Sequence, residues 1–355
     1  MQIKITKNTN PKQKPKDSEL VFGRFFTDHM FVMDYNEQNG WHNAQILPYA
    51  NISLDPASMI LHYGQEVFEG MKAYRGEDNK IMLFRPEKNF ERLNISNDRL
   101  CIPKLDEDFC LKALTTLIEI DKDWVPHDKG TSLYIRPFVI ATQSGLGVHP
   151  AKEYKFIIIC CPVGSYYKEG LNPVKIYVES EYVRAVKGGT GFIKSGGNYA
   201  ASLKGQEKAE KLNYSQVLWL DGKEHKYIEE VGAMNVFFKI NGIVVTPSLE
   251  GSILPGITRR SVIEVLKDWG VKVEERKISI DELVTAYENG MLEEAFGSGT
   301  AAVISPIGEF NYQGKIMIVN NNKIGNLSQK LYDYITDIQW GRIEDKYGWV
   351  KHLNF

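Results

Sequence analysis

Strands and helices are mixed through both halves of this chain without the regular βαβ rhythm, and this irregular mixing limits the possible folds most. A steady βαβ repeat would build one doubly wound parallel sheet, whereas irregular mixing calls for α+β packing in separate compact layers. The 355-residue length also favours two domains. In the first half, the apolar crowding of 20–33 predicts a strand pair, and 41–52 continues in extended style. Pro86 suits a helix N1 position, predicting a helix over 87–100, and 107–120 has a 3.6-residue apolar period. The β-branched runs 132–141 and 154–163 predict strands. Residues 164–173, with Gly164, Gly170 and Pro173, break both periods and predict a linker. Beyond it come a strand over 174–181, a helix over 200–212 and hairpin turns at Asp221-Gly222 and Asn241-Gly242. A helix over 258–269 is stopped by Gly270, another opens at Ser279 with Glu282 at capping-box spacing and ends at Gly290, and a helix over 327–340 closes the chain. The expected division is a smaller α/β domain over 1–164, a linker and first strand over 165–180, and a larger domain over 181–355.

Composition excludes several classes of function. A net charge of −2 gives no field that would draw the chain to nucleic acid or an anionic membrane. The N-terminus lacks the apolar core of a secretory signal, and no apolar run approaches a membrane span. Cys101, Cys110, Cys160 and Cys161 lack C-x-x-C spacing; the adjacent pair should face opposite sides of a strand, and all four read as buried thiols in a reducing compartment. The expected location is the cytosol, with no metal site.

The chemistry is concentrated between Lys187 and Leu203, where Lys194 is fenced by two glycine pairs and followed by Tyr199. Glycines there let the backbone lie against a flat partner. A lysine held in such a pocket loses hydration and offers a neutral amine, the nucleophile of Schiff-base chemistry, for which pyridoxal phosphate is the commonest bound aldehyde. For a bare K-x-G-G, an exposed lysine in a flexible loop is the better reading. The full string Ile193-Lys-Ser-Gly-Gly-Asn-Tyr-Ala200 resembles the lysine signature of the branched-chain amino acid aminotransferases, fold-type IV pyridoxal phosphate enzymes of the class IV aminotransferase family.

That resemblance implies a two-domain, D-amino acid aminotransferase-like α/β fold with its active site at the domain interface. It also implies a homodimer moving the amino group of leucine, isoleucine or valine to 2-oxoglutarate. A pyridoxal phosphate site needs donors for a phosphate, a carboxylate for the ring nitrogen and a donor for the phenolic oxygen. Leu254-Pro-Gly-Ile257-Thr258-Arg259 sits where a loop enters a helix, so the N–H groups of Ile257 and Thr258 would point outward, although a Pro-Gly alone reads better as plain punctuation; Gly297-Ser-Gly-Thr300-Ala301 reads as a second small-residue turn. Both resemble the family's phosphate loops. In Phe84-Arg-Pro-x-x-Asn-x-x-Arg92 the resemblance selects Arg92 as the phosphate arginine, where Arg85 would otherwise be the guess. Glu229 and Glu230 are adjacent acids, a pair that is normally solvated and that a strand sends to opposite faces; the resemblance selects Glu230 for the ring nitrogen. Tyr199 matches the tyrosine at the phenolic oxygen, and Arg184 matches an arginine near the lysine loop.

For the substrate, the resemblance carries Phe68, Tyr63, Tyr134 and Ala301 to an aliphatic pocket, with Phe22 on the same wall. Leu146, Val148 and Tyr63 match residues lent across a dimer interface. Arg136 matches the residue that accepts the distal carboxylate of glutamate or 2-oxoglutarate, although it could equally be a strand arginine pairing with a core tyrosine. Two departures stand out. Ala302 and Ser305 replace the Cys-x-x-Cys of some animal members, and Ala233 replaces a threonine. A D-amino acid aminotransferase or aminodeoxychorismate lyase should lack the Phe68-Glu-Gly-Met-Lys-Ala and Gly145-Leu-Gly-Val elements; a non-catalytic phosphate binder would not need Lys194, Tyr199 and Glu230 together.

Overall fold

The computed structural model describes residues 1–166 and 171–355. The part of the expected linker at 167–170 lies outside the described residues. The chain divides into two compact units: one of Met1–Tyr166, Lys194–Gly196 and Asp337–Phe355, the other of Tyr167–Ile193 and Gly197–Thr336.

The first unit is built on one sheet whose centre is the long antiparallel pair Ser132–Ala141 and Glu153–Val163. Strand His29–Asn36 extends it on one side and Met71–Arg75 on the other, with the short strand Glu66–Phe68 also pairing with Ser132–Ala141. Alternation along Ser132–Ala141 sorts its side chains into two faces. Leu133, Ile135, Val139 and Ala141 join a core with Phe31, Phe156 and Ile158, against which helices Pro86–Arg99 and Glu107–Ile120 lay Phe90, Leu93, Leu114 and Leu117. Each such fully buried side chain contributes about 1.5–3 kcal/mol. The opposite face carries Tyr134, Arg136 and, one strand over, Cys161.

The second unit is a sheet whose pairings close on themselves. Val174–Val178 pairs with Gln216–Leu220, which pairs with Ile228–Val231, then Met234–Ile240, Leu292–Gly299 and Val303–Tyr312, which returns to Val174–Val178. Its core includes Ile176, Leu218, Val231, Val236, Phe238 and Phe310, with Ile280 and Leu283 from helix Ile280–Glu288.

Several expectations change. Residues 20–25 form no strand, with a turn only over 22–24, following the single helical turn Asp17–Glu19; the strand begins only at His29. The expected strand 174–181 stops at Val178. Asp221-Gly222 is not a tight hairpin turn: the link runs from Leu220 to Ile228, and the Asp221 carboxylate accepts the backbone N–H groups of Lys223, Glu224, Lys226 and Tyr227. Asn241-Gly242 is the tight turn expected, with φ of 47° and 76°. The helix expected from 200 starts at Gly196, so Tyr199 lies on its first turn. Gly297 and Gly299 belong to a strand, and only the residues after them turn. The chain does not close on a helix: Val350–Leu353 pairs with Ile81–Phe84, which gives the chain end to the first sheet rather than to a domain running from 181 to 355. Cys160 and Cys161 do face opposite sides of their strand, but Cys101 is exposed rather than buried, at a left-handed residue (φ 56°) just past a helix end.

Candidate active site

In the first unit, three contacts fix the backbone around Lys194. Its N–H donates to Ser96 Oγ at 3.1 Å, its carbonyl accepts from Phe68 N–H at 3.0 Å, and Gly196 N–H donates to Glu66. Burial pushes the Glu66 carboxyl up, while the Gly196 N–H and Arg136 pull the other way. The Lys194 side chain reaches over the Phe68 ring, with Nζ at 4.9 Å from the centroid. Arg136 lies against the same ring at 4.7 Å and donates from Nη2 to the Tyr134 hydroxyl at 3.1 Å. Its buried Nε has no hydrogen-bond partner among the described residues. Phe22 meets Tyr134 edge-on, with centroids 4.9 Å apart. Of the two readings left open for Arg136, the pairing with a tyrosine is seen here. Gly70 is needed here, because a Cβ would sit 2.1 Å from the Tyr134 hydroxyl.

Arg92 is buried and paired with Glu69, Nε to Oε1 at 2.7 Å and Nη2 to Oε2 at 2.9 Å. Asn89 donates to the same carboxylate at 2.7 Å. Burial alone would push Glu69 up, but Arg92, Lys194 and Asn89 together hold it below the usual carboxylate range. This explains the Asn-x-x-Arg spacing, since residues three apart on a helix share a face and here reach one oxygen pair. Glu69 was missed in the sequence, although Asn89 and Arg92 in one motif were a signal for a shared acidic partner. Arg85, the alternative, caps the helix at φ 49° with its guanidinium over Trp349.

In the same unit, Tyr63, Leu146 and Val148 do not enter this cluster. The Tyr63 hydroxyl donates to the Leu146 carbonyl, and all three side chains are exposed, by 38%, 68% and 84%.

In the second unit, Glu230 is buried, accepts the Leu254 N–H at 2.8 Å and pairs with Arg184 Nε at 3.4 Å. Asn235, opposite it in the ladder, donates to the Leu254 carbonyl at 2.9 Å. These two side chains therefore hold both backbone groups of Leu254, just before the Gly256 cap of helix Ile257–Asp268. No side chain caps that helix start. The first N–H groups of a helix have no carbonyl of their own to bond, so those of Ile257 and Thr258 form an anion-binding end. Arg184 also donates to the carbonyls of Gly191 and Ser252. That packing leaves no room for a side chain at Gly191, where a Cβ would lie 2.2 Å from the Ser252 oxygen. A cavity of about 300 Å³ is lined by Arg184, Tyr199, Trp219, Glu230, Ala233 and Leu254 among others. Thr300 and Ala301 form the turn between Leu292–Gly299 and Val303–Tyr312. Val303 beside them takes φ 62°, a costly conformation for a β-branched residue and one that accumulates at functional sites. Ser298, opposite Asn235, has a buried hydroxyl with no hydrogen-bond partner among the described residues.

These residues fit a phosphorylated pyridine. A buried carboxylate held beside an arginine, an uncapped helix start, an orphaned hydroxyl and a hydroxyl-bearing turn all stand on one sheet. Among the described residues no group of three or more His, Cys, Asp or Glu side chains could hold a metal ion, and no helix is long and apolar enough to cross a membrane.

Residues 66–310 match the amino-transferase class IV family. The chain is 61% identical to branched-chain-amino-acid aminotransferase 2 of Bacillus subtilis, over 99% of this chain and 97% of that one. It is 56% identical to a probable branched-chain-amino-acid aminotransferase of Staphylococcus aureus, over 98% and 97%. Among solved structures, it resembles the branched-chain amino acid aminotransferase of Escherichia coli at TM-score 0.78 and 28% identity, over 92% of this chain and 99% of that one. It also resembles the T.th. branched-chain amino acid aminotransferase with pyridoxamine 5'-phosphate at TM-score 0.76 and 25% identity, over 91% and 98%.

Proposed function

Because the chain belongs to the amino-transferase class IV family, we propose that it is a branched-chain amino acid aminotransferase using pyridoxal 5'-phosphate, acting as a homodimer in the cytosol. It moves the amino group of L-leucine, L-isoleucine or L-valine to 2-oxoglutarate, giving the branched 2-oxo acid and L-glutamate. The observation that carries the reading is the wall of Phe68, Tyr134 and Arg136 beside Lys194: an apolar surface bordered by one cation.

Bound pyridoxal phosphate supplies an aldehyde for the incoming amine and a ring that withdraws electrons from Cα. Lys194 Nζ takes the proton from the substrate Cα and returns it, as general base and then acid. Glu230 would hold a proton on the ring nitrogen, and Tyr199 would donate to the phenolic oxygen. Ile257 and Thr258 N–H groups, the Thr300 hydroxyl and Arg92 would hold the phosphate. Glu69 orients Arg92, and Arg184 steadies Glu230. Tyr199, Glu230, Ile257, Thr258 and Thr300, the residues proposed for the ring and most of the phosphate, belong to the second unit. Ala301 and Phe22 would add to the aliphatic pocket. The exposure of Tyr63, Leu146 and Val148, with the Tyr63 hydroxyl bonded to the Leu146 carbonyl, supports their being lent to a second copy of the chain.

The test is direct. Purified protein supplied with leucine and 2-oxoglutarate should form glutamate, and leucine alone should bleach its visible absorbance. No glutamate from leucine, isoleucine or valine would overturn the reading.

Arg136 makes a sharper case. Leucine deamination needs only an apolar wall, whereas 2-oxoglutarate brings a second carboxylate, and leaving it buried and unpaired would cost several kcal/mol. Arg136→Gln should therefore impair amine transfer to 2-oxoglutarate more than leucine deamination, by about 1.5–3 kcal/mol, the worth of a hydrogen bond to a charged group. Stopped-flow traces of the two half-reactions measure the difference. Equal losses would leave Arg136 as a structural partner of Tyr134.

A further inference from the structure

Glu229 and Lys187 have no part in the activity above, yet both line one cavity of about 450 Å³. That is within the usual range of small-molecule sites, about 300–1,000 Å³. Glu229 points away from Glu230 on their shared strand, so this cavity is a separate one from that lined by Glu230 and Tyr199. We propose that it binds a small aliphatic α-amino acid as a zwitterion, the ammonium on the Glu229 carboxylate and the carboxylate on the amines of Lys187 and Lys223.

The charges decide this. Glu229 is 6% exposed; its Oε1 accepts from the Ser252 hydroxyl, and its Oε2 has no hydrogen-bond partner among the described residues. A buried carboxylate with half its acceptors idle is costly, and a bound cation offsets that cost. Burial pushes this carboxyl up to about 7, against the pull of Ser252 and Arg184. Two other acids on the wall are already committed: Asp221 to the four backbone N–H groups named above, and Glu250 to Lys277 at 3.2 Å and Ser248 at 3.0 Å. Glu224 also lines the cavity, near Lys277. Lys187 and Lys223 line it without an ion pair among the described residues; Lys187 acts on Glu250 without pairing with it, so both amines can take an anion. Val186, Tyr227, Ile228, Pro247 and Ile253 line the same cavity and supply an apolar surface for the aliphatic side chain.

Occupancy here would be felt at Glu230. The Ser252 hydroxyl serves Glu229, while the Ser252 carbonyl accepts from Arg184, which pairs with Glu230. Ser252 thus links the Glu229 carboxylate to the arginine that pairs with Glu230.

The test is calorimetric titration of holoenzyme reduced with borohydride, which blocks exchange at Lys194, with L-leucine, isoamylamine and 4-methylpentanoate. L-Leucine should bind one site per chain, about tenfold or more tighter than either half-ligand, as one charge-assisted hydrogen bond allows. Glu229→Gln should weaken leucine and isoamylamine by about tenfold and spare 4-methylpentanoate. Lys187→Ala should weaken leucine and 4-methylpentanoate and spare isoamylamine. An unchanged melting temperature in both variants rules out misfolding as the cause; if one unfolds, the other carries the test. No leucine binding to the reduced enzyme, or binding indifferent to both substitutions, overturns the proposal. Failure of the protein to bind cofactor or form glutamate would count against the aminotransferase reading and not against this cavity.

Discussion

Lys194→Ala should leave less than about one per cent of leucine transamination, because a general acid–base group alone contributes about 10²–10⁴-fold. The protein should stay folded. The contacts that fix this segment run from the Lys194 N–H to Ser96 and from Phe68 N–H to the Lys194 carbonyl, and neither uses the side chain. What is lost is the amine over the Phe68 ring. Lys187 cannot substitute, since it lines the cavity of Glu229 rather than that of Glu230 and Tyr199. The measurement is glutamate formation from leucine and 2-oxoglutarate, with the melting temperature followed alongside. Turnover above about one per cent in a folded variant would remove Lys194 from its role.

The candidate site residues were legible through the family resemblance rather than through local chemistry. A lysine between glycines, a Pro-Gly before a helix and two adjacent acids on a strand each have a blander local reading, whereas the helices Pro86–Arg99 and Glu107–Ile120 follow from a cap and a period. What stayed hidden were the partners supplied from far along the chain. Ser96 meets Lys194 across 98 positions, and Glu66 meets Gly196 across 130. No periodicity reports a contact of that kind. Asn235 was hidden for a related reason: a strand Asn is ordinary until the ladder sets it opposite Glu230, where both hold Leu254. Residues 20–25 misled because crowded aromatics mimic a strand, whereas Phe22 is 56% exposed on a turn and meets Tyr134 from there. Glu229 misled differently. Adjacent acids suggest a solvated pair, yet both are buried, one beside Arg184 and one under Ser252.

That burial makes Glu230 a test of charge against shape. Glu230→Gln keeps the volume and can still accept the Leu254 N–H through its amide oxygen, so the loop before Gly256 should hold and the cofactor should remain bound. The variant cannot keep a negative charge facing the ring nitrogen, and it leaves Arg184 without its carboxylate partner. The loss should fall on proton transfer at Cα, by about 10²–10³-fold, the range for removing one preorganised electrostatic group. Binding of leucine should change little. Single-turnover traces with α-deuterated leucine separate the two effects: a larger isotope effect together with the slower rate places the loss on the proton. Glu229→Gln is the control, since it is equally conservative and equally close in sequence but faces the other cavity. It should retain most of the leucine turnover. If Glu229→Gln slowed the proton step and Glu230→Gln did not, the strand Ile228–Val231 would present its carboxylates the other way round, and the role of holding the ring nitrogen's proton would pass to Glu229.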